Sequence, residues 1–186
     1  EYGRSKLRGE DAVREIWDLI PCTIIRPPNV YGPRQQETEL LIKLLQKRIL
    51  PVLKSHAKNT TMIYVRDLVN GMIQAALSDS AAHNIYYLTD KNVYSWREIL
   101  FQMKKQVLGK KIYLPLHENL IYAAAFLTDM LRKTKLVNVY FGRKIWNSMV
   151  NTSWLFSSKK ASQDFGFNPS YSLEKGLKET FFYYQK

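Results

Sequence analysis

A tyrosine and a lysine one helical turn apart can act together in proton transfer, and the sequence opens on that spacing: Tyr2 and Lys6 in EYGRSK. A phenol with a pKa of about 10 is a poor acid or base at neutral pH. A cation held beside it stabilises the phenolate and moves that pKa toward the working range. Spacing alone does not single out this pair. With 12 Tyr and 28 Lys plus Arg in 186 residues, the same interval recurs at Tyr87 and Lys91, at Tyr140 and Lys144, and at Tyr171 and Lys175. Context separates them. Tyr87 and Lys91 straddle a predicted strand and turn, Tyr171 precedes a predicted helix cap, and no suitable strand follows Tyr140 and Lys144. Tyr2 stands at the head of a predicted helix that leads into a buried strand.

Other chemistries have less to work with. The one cysteine, Cys22, lies in the apolar run PCTII, so a disulfide framework is excluded and a reducing, cytoplasmic setting is expected. With no His or Lys beside it to lower its pKa, Cys22 reads as a small buried hydrophobe rather than a nucleophile. His56, His83 and His117 have no metal-pair spacing and the carboxylates are scattered, so no metal site is expected. Aromatic residues make up 13% of the chain but fall at core spacing or beside caps, not as base-stacking platforms. The net charge of +12 is uneven: residues 1–100 hold 14 basic and 11 acidic side chains, residues 101–186 hold 14 and 5. That excess suits a solvated basic surface or an anionic partner, whether phosphate, nucleic acid or lipid. The longest apolar run, LIYAAAFL, is far short of the ~20 residues that span a bilayer.

The elements that must position Tyr2 and Lys6 follow from periodicity. Val13, Ile16, Trp17 and Ile20 mark one face of a helix that Pro21 ends. CTIIR reads as a buried parallel strand, and PPNVYGP as irregular backbone. Residues 37–50 read as a helix ending before Pro51, MIYV as a strand, and Asp67 as the cap of a helix with apolar face Val69, Met72, Ile73 and Ala76. NIYYL reads as a further strand. Ser95 and Glu98 form a capping box opening a helix that stops at Gly109. Helices are expected at 117–132 and 138–150, from Ser157 or Ser158 to near Gly166, and from Ser172. The expected class is α/β: the C-terminal part of a doubly wound Rossmann-type parallel sheet over residues 1–92, then a mainly helical substrate-binding region over 93–186. The eight glycines hold no glycine-rich turn of the dinucleotide type, so the nucleotide-binding half is expected to lie outside this sequence.

Three ordered motifs, YGRSK, TIIRPPNVYGP and MIYVRDLVNGM, resemble the extended short-chain dehydrogenase/reductases, the NAD-dependent epimerase/dehydratase superfamily. NIYYLTDKNVYSWREI, Trp154, SSKKASQDFGFNP and SLEKGLKET resemble that family's C-terminal region, so the likeness covers nearly the whole chain as a C-terminal half. It implies NAD or NADP as cofactor and a small-molecule substrate carrying a secondary alcohol or ketone. Tyr2 would be the acid/base, and Lys6 would hold the nicotinamide ribose and depress the Tyr2 pKa. Pro27, Pro28, Asn29 and Val30 would line the nicotinamide side; Asn29, Arg34, Lys58 and Tyr64 would lie on the substrate side. Asn29 is as well read as a turn brace, Arg34 as a surface arginine, and Asp67 as a cap rather than a catalytic acid.

Sugar-nucleotide members often carry an arginine where Thr60 stands, with Lys58 nearby as a point charge. That departure favours the branch resembling dihydroflavonol reductases and 3β-hydroxysteroid dehydrogenases over the nucleotide-sugar epimerases and dehydratases. The family's Ser or Thr partner of the tyrosine and the residue that distinguishes NAD from NADP are not in the sequence, so these 186 residues alone are expected to be inactive. The resemblance also implies a homodimer through the helix at 3–19. The competing reading is a non-catalytic module whose basic C-terminal half binds nucleic acid or an anionic membrane. Its best contact would be the helix at 117–132 with the following RKTK, although a packed helix with a solvated basic end is the preferred reading of that segment.

Overall fold

A computed structural model describes residues 2–53, 59–107, 109–110, 112–132 and 153–185. In order these form α1 (Tyr2–Glu15), β1 (Thr23–Arg26), β2 (Asn29–Tyr31), α2 (Gln36–Gln46), β3 (Ile49–Leu53), β4 (Thr60–Tyr64), α3 (Val65–Ala76), a 3₁₀ turn (Asp79–Ala81), β5 (Asn84–Tyr87), β6 (Val93–Tyr94), α4 (Trp96–Lys105), β7 (Ile112–Leu116), α5 (Glu118–Arg132), α6 (Lys159–Phe165) and α7 (Leu173–Tyr183). The chain divides into two compact units: Glu1–Tyr31, Thr61–Asn92 and Phe156–Ser172 make the first, and Gly32–Thr60, Val93–Leu155 and Leu173–Lys186 the second. The division near residue 92 is one crossing among several, since 32–60 lie in the second unit and 156–172 in the first.

The first unit has the expected α/β character. β1 and β5 pair in parallel, from Thr23 opposite Asn84 to Arg26 opposite Tyr87. β2 and β4 pair in parallel, from Asn29 opposite Met62 to Tyr31 opposite Tyr64. The core joins Ile63, Leu68, Ala75, Tyr86, Leu88 and Phe167, with Ile25 and Val30 against it. α3 lies so close to this core that a Cβ on Gly71 would come within 2.7 Å of the Phe167 ring and 2.8 Å of Leu88.

Five expectations for this unit are corrected. α1 stops at Glu15, and residues 16–20 form a turn in which Leu19 and Ile20 are exposed. The Trp17 indole N–H donates to the Cys22 carbonyl at 2.9 Å and draws the chain back toward β1. Cys22 itself is half-buried. The proline-rich stretch is not wholly irregular, because Asn29–Tyr31 lies between its prolines as a strand. α3 begins at Val65 with Tyr64 at its cap position, so Asp67 sits inside the first turn and is not the cap. The buried face of α3 is Asp67, Leu68, Gly71 and Ala75; the apolar stripe Val69, Met72 and Ile73 faces outward.

In the second unit β3 and β7 pair in parallel, from Ile49 opposite Ile112 to Leu53 opposite Leu116. The predicted helix over 37–50 therefore ends at Gln46, and its tail is strand. Gln35 caps α2 by accepting from the Thr38 N–H at 2.7 Å. The Ser95–Glu98 capping box forms as expected: Glu98 N–H donates to Ser95 Oγ at 3.2 Å, and Ser95 N–H to Glu98 Oε2 at 2.6 Å. α4 stops at Lys105, ahead of Gly109. α4 and α7 pack together, burying Ile99, Leu100 and Met103 with Leu173, Leu177 and Phe181 in this unit. α6 and its left-handed Gly166 C-cap, in the first unit, also match expectation. The helix expected at 138–150, Lys58 and His56 lie outside the described residues.

Candidate active site on the first helix

Tyr2 and Lys6 both belong to α1, so the spacing that suggested a proton-transfer pair becomes one turn of a real helix, with Lys6 exposed. One more turn along the same stripe stands Glu10. Its carboxylate receives a hydrogen bond from Arg26 Nε at 2.9 Å and a second, short one from Arg26 Nη2, a bidentate ion pair. Arg26 is the last residue of β1. Its third contact, from Nη1 to the Tyr87 hydroxyl at 3.0 Å, reaches the residue opposite it at the end of β5. The Tyr87 ring in turn stacks on Phe156 at 4.6 Å and 7°. The stripe bearing Tyr2, Lys6 and Glu10 is thereby tied to the carboxyl ends of two parallel strands, where open parallel sheets bind ligands. Arg26 holds the Glu10 carboxyl below its ordinary 4.5, and Glu10, followed by Tyr87, raises the Arg26 guanidinium above its ordinary value.

Directly after Arg26 come the four residues expected on the nicotinamide side. Pro27 and Asn29 are exposed; Pro28 and Val30 are half-buried, Val30 against the core. They belong to the same unit as α1. Tyr64 has only 1% of its surface exposed. Its ring centroid lies 5.4 Å from that of Tyr31 and 4.4 Å from that of Tyr171, a cluster of mutually tilted rings at the end of β4. Arg34 belongs to the second unit and has a left-handed backbone, φ 70°. There its N–H donates to the Tyr184 hydroxyl at 2.8 Å and its Nε to the Tyr183 hydroxyl at 3.3 Å.

Asp67 has a structural task in the described chain. Oδ1 accepts from the Ser170 N–H at 3.0 Å and the Ser170 hydroxyl at 2.9 Å, and Oδ2 accepts from the Tyr171 N–H at 2.9 Å. The carboxylate thus clamps the segment after α6 onto the start of α3. Beyond the end of β5, a depression of about 340 Å³ is lined by Thr89, Lys91, Phe156, Ser157, Ser158, Lys159 and Ser162. Among the described residues no cluster of His, Cys, Asp or Glu could hold a metal ion.

Sequence reasoning missed the Glu10–Arg26–Tyr87 linkage. Its signal was present: an arginine closing an apolar strand needs a counter-charge, and Glu10 lies off the apolar face of the preceding helix.

Comparison with known proteins shows what this chain resembles. Residues 1–88 match the model of the NAD dependent epimerase/dehydratase family. A ceramide reductase of Caulobacter vibrioides is 28% identical over 187 residues, covering 99% of this chain and 57% of that protein. Among solved structures, Pal from Bacillus thuringiensis superimposes with a TM-score of 0.72 at 18% identity, over 99% of this chain and 52% of its own. UDP-glucuronic acid 4-epimerase from Bacillus cereus, solved in complex with NAD, gives a TM-score of 0.68 at 21% identity, over 99% and 52%. The chain spans about half the length of the curated relatives it matches.

Proposed function

Because residues 1–88 match the model of the NAD dependent epimerase/dehydratase family, we propose that this chain supplies the acid/base and substrate-side residues of an NAD(P)-dependent oxidoreductase or epimerase acting on a secondary alcohol or ketone. The observation that carries this reading is the stripe on α1: Tyr2 and Lys6 one turn apart, on a helix fastened through Glu10 and Arg26 to the carboxyl end of β1. The residues fit the nicotinamide end of a dinucleotide, since Lys6 is exposed and Pro27 and Asn29 are open beside the strand ends. They include no glycine-rich turn for the pyrophosphate; Gly3 and Gly9 both lie within α1.

When bound, the nicotinamide accepts or donates hydride at the substrate carbon. In the oxidative direction Tyr2, as phenolate, takes the proton from the substrate hydroxyl while the carbon loses hydride and becomes a carbonyl. In the reductive direction the Tyr2 phenol returns that proton to the carbonyl oxygen. Lys6 holds a positive charge one turn away, favouring the phenolate. The Glu10–Arg26 ion pair fixes the rotation of the helix about the strand end, and with it where that stripe points.

For the substrate we favour a lipophilic carbonyl compound over a nucleotide sugar. Two things support this: the similarity to a ceramide reductase along 99% of the chain, and Thr60 at the start of β4 where a diphosphate-gripping arginine would stand. Tyr2→Phe in the full-length protein tests the assignment. Turnover should fall by about 10²–10⁴-fold while NAD(P)H affinity stays unchanged. Undiminished turnover ends the acid/base role. A full-length protein that binds neither dinucleotide would be a retained scaffold without the chemistry.

A further inference from the structure

α5 presents its apolar side to solvent. Leu120, Phe126, Leu127 and Met130 are 65%, 48%, 52% and 53% exposed, with the small Ala123 and Ala124 between them. The side found inward holds Ala125, fully buried, and half-buried Thr128 and Asp129. The preferred sequence reading is a packed helix with a solvated basic end; here Ala125 is the buried residue among the described side chains of α5. A water-facing helix normally shows the opposite distribution, and a large exposed apolar face marks an interaction site.

The chemistry of the occupant is read from the exposed side chains and charges of the same unit. In the same unit, β7 leads into α5 with Ile112, Tyr113 and Leu114 exposed, and α4 exposes Phe101. Ammonium groups sit among these apolar side chains. Lys104 Nζ meets the Tyr113 hydroxyl at 2.5 Å, and Lys105 Nζ lies 4.9 Å from the centre of the Phe101 ring. Lys110, just before β7, is exposed. Long basic side chains laid over apolar surface with their charge held outward are what a polar–apolar boundary selects, and aromatic hydroxyls favour the same zone. Residues 101–186 hold 14 basic against 5 acidic side chains. A second copy docking on this face would bring like charges together, whereas an anionic bilayer offers hydrocarbon to the leucines and phosphate to the lysines. No described helix is long and apolar enough to cross a membrane, so the contact is with the surface.

We infer that the outward face of α5, together with the basic side chains Lys104, Lys105 and Lys110 of the same unit, docks the protein on an anionic phospholipid bilayer, with the helix lying in the plane of the interface. The inference stands apart from the catalytic reading, because it concerns residues with no part in that stripe and is read out by binding alone.

Co-sedimentation of the full-length protein with phosphatidylcholine vesicles, with and without phosphatidylglycerol, tests it. Partitioning should be at least about tenfold stronger onto the phosphatidylglycerol vesicles and should weaken as salt is raised. The double variant Leu120→Gln with Leu127→Gln should lose about tenfold or more in vesicle binding while keeping the wild-type melting temperature. Lys104→Gln, Lys105→Gln and Lys110→Gln together should abolish the preference for the anionic vesicles. An environment-sensitive label on Leu127→Cys should shift to the blue on those vesicles and not on neutral ones, a reading independent of the glutamine variants' folding. Equal partitioning onto both vesicles, an unresponsive label, or full binding by the double glutamine variant overturns the proposal. So does a lipid-free dimer that Leu127→Gln disperses, which would assign the face to a second copy.

Discussion

Arg26 places one guanidinium between a helix, a strand and an aromatic pair, and its value can be measured through Glu10. The pair is only partly shielded, with side chains 34% and 18% exposed for Arg26 and Glu10, so it stabilises the fold by no more than about 1 kcal/mol. Its pH signature has a definite sign. The Glu10 carboxyl titrates below its ordinary 4.5 in the folded chain, so the native state binds fewer protons than the unfolded one around that pH. The contribution is present in full above the ordinary value and is lost as pH falls through the lowered one. Urea unfolding of Glu10→Gln should show about 1 kcal/mol less stability than wild type at neutral pH, with the gap closing under acid conditions; a gap independent of pH would show that the carboxylate is not held by Arg26. Asp67 is the stronger case, because it is 2% exposed and accepts from three donors. Asp67→Asn keeps the shape but loses the charge and puts a donor where only acceptors fit. A loss of about 2–3 kcal/mol is expected, together with faster hydrogen exchange at the Ser170 and Tyr171 amides. Unchanged exchange there would remove the clamp.

Among the elements, what was legible in the sequence divides by the kind of signal. β-branched runs gave β1, β4 and β5, and local hydrogen-bonding chemistry gave the Ser95 capping box and the Gly166 stop. β3 and β7 were not legible because each contains a proline, Pro51 and Pro115. Proline argues against a strand wherever both edges must pair, but among the described residues this sheet has just two strands, each with one unpaired edge where a proline is tolerated. α3 and α5 show a different limit. A periodic apolar stripe states that a helix has an apolar side, not that this chain covers it, and in both helices exposed positions carry large apolar side chains. On α3 the packed side is set by Gly71, whose Cα faces the Phe167 ring and Leu88. Gly71→Ala would gain about 1 kcal/mol of helix propensity, but the added methyl must displace a buried ring, which costs about 1–3 kcal/mol. Thermal melting should therefore show net destabilisation. A more stable Gly71→Ala would mean that the helix can lift from the core at little cost. Of the candidate site, the helix carrying Tyr2 and Lys6 was legible, while its fastening to the sheet was not, because Glu10 and Arg26 are 16 residues apart and no local pattern pairs them.

At the scale of the molecule, the proposed function asks for dinucleotide binding, and these residues are suited to one end of it only. Tight binding of the pyrophosphate needs closely spaced backbone N–H groups at a glycine-rich turn and a helix N-terminus, and the eight glycines here include no such turn. What residues 1–186 offer is a lysine on an exposed helix face and a short proline-flanked edge beside the strand ends. Under the proposed function, those groups orient the nicotinamide rather than hold the pyrophosphate. Fluorescence titration should accordingly show the full-length protein binding NADH or NADPH in the micromolar range or tighter, and the 186-residue chain alone binding both far more weakly. The full-length preference between the two dinucleotides identifies the cofactor. Micromolar binding by the 186-residue chain would locate a phosphate site within it, and the depression lined by Lys91, Ser157, Ser158 and Lys159 would then be the first place to mutate. If the full-length protein binds and the short chain does not, Tyr2 and Lys6 are left with the role their position allows: they act on a cofactor delivered to them, and Lys6→Ala should lower turnover more than it lowers affinity.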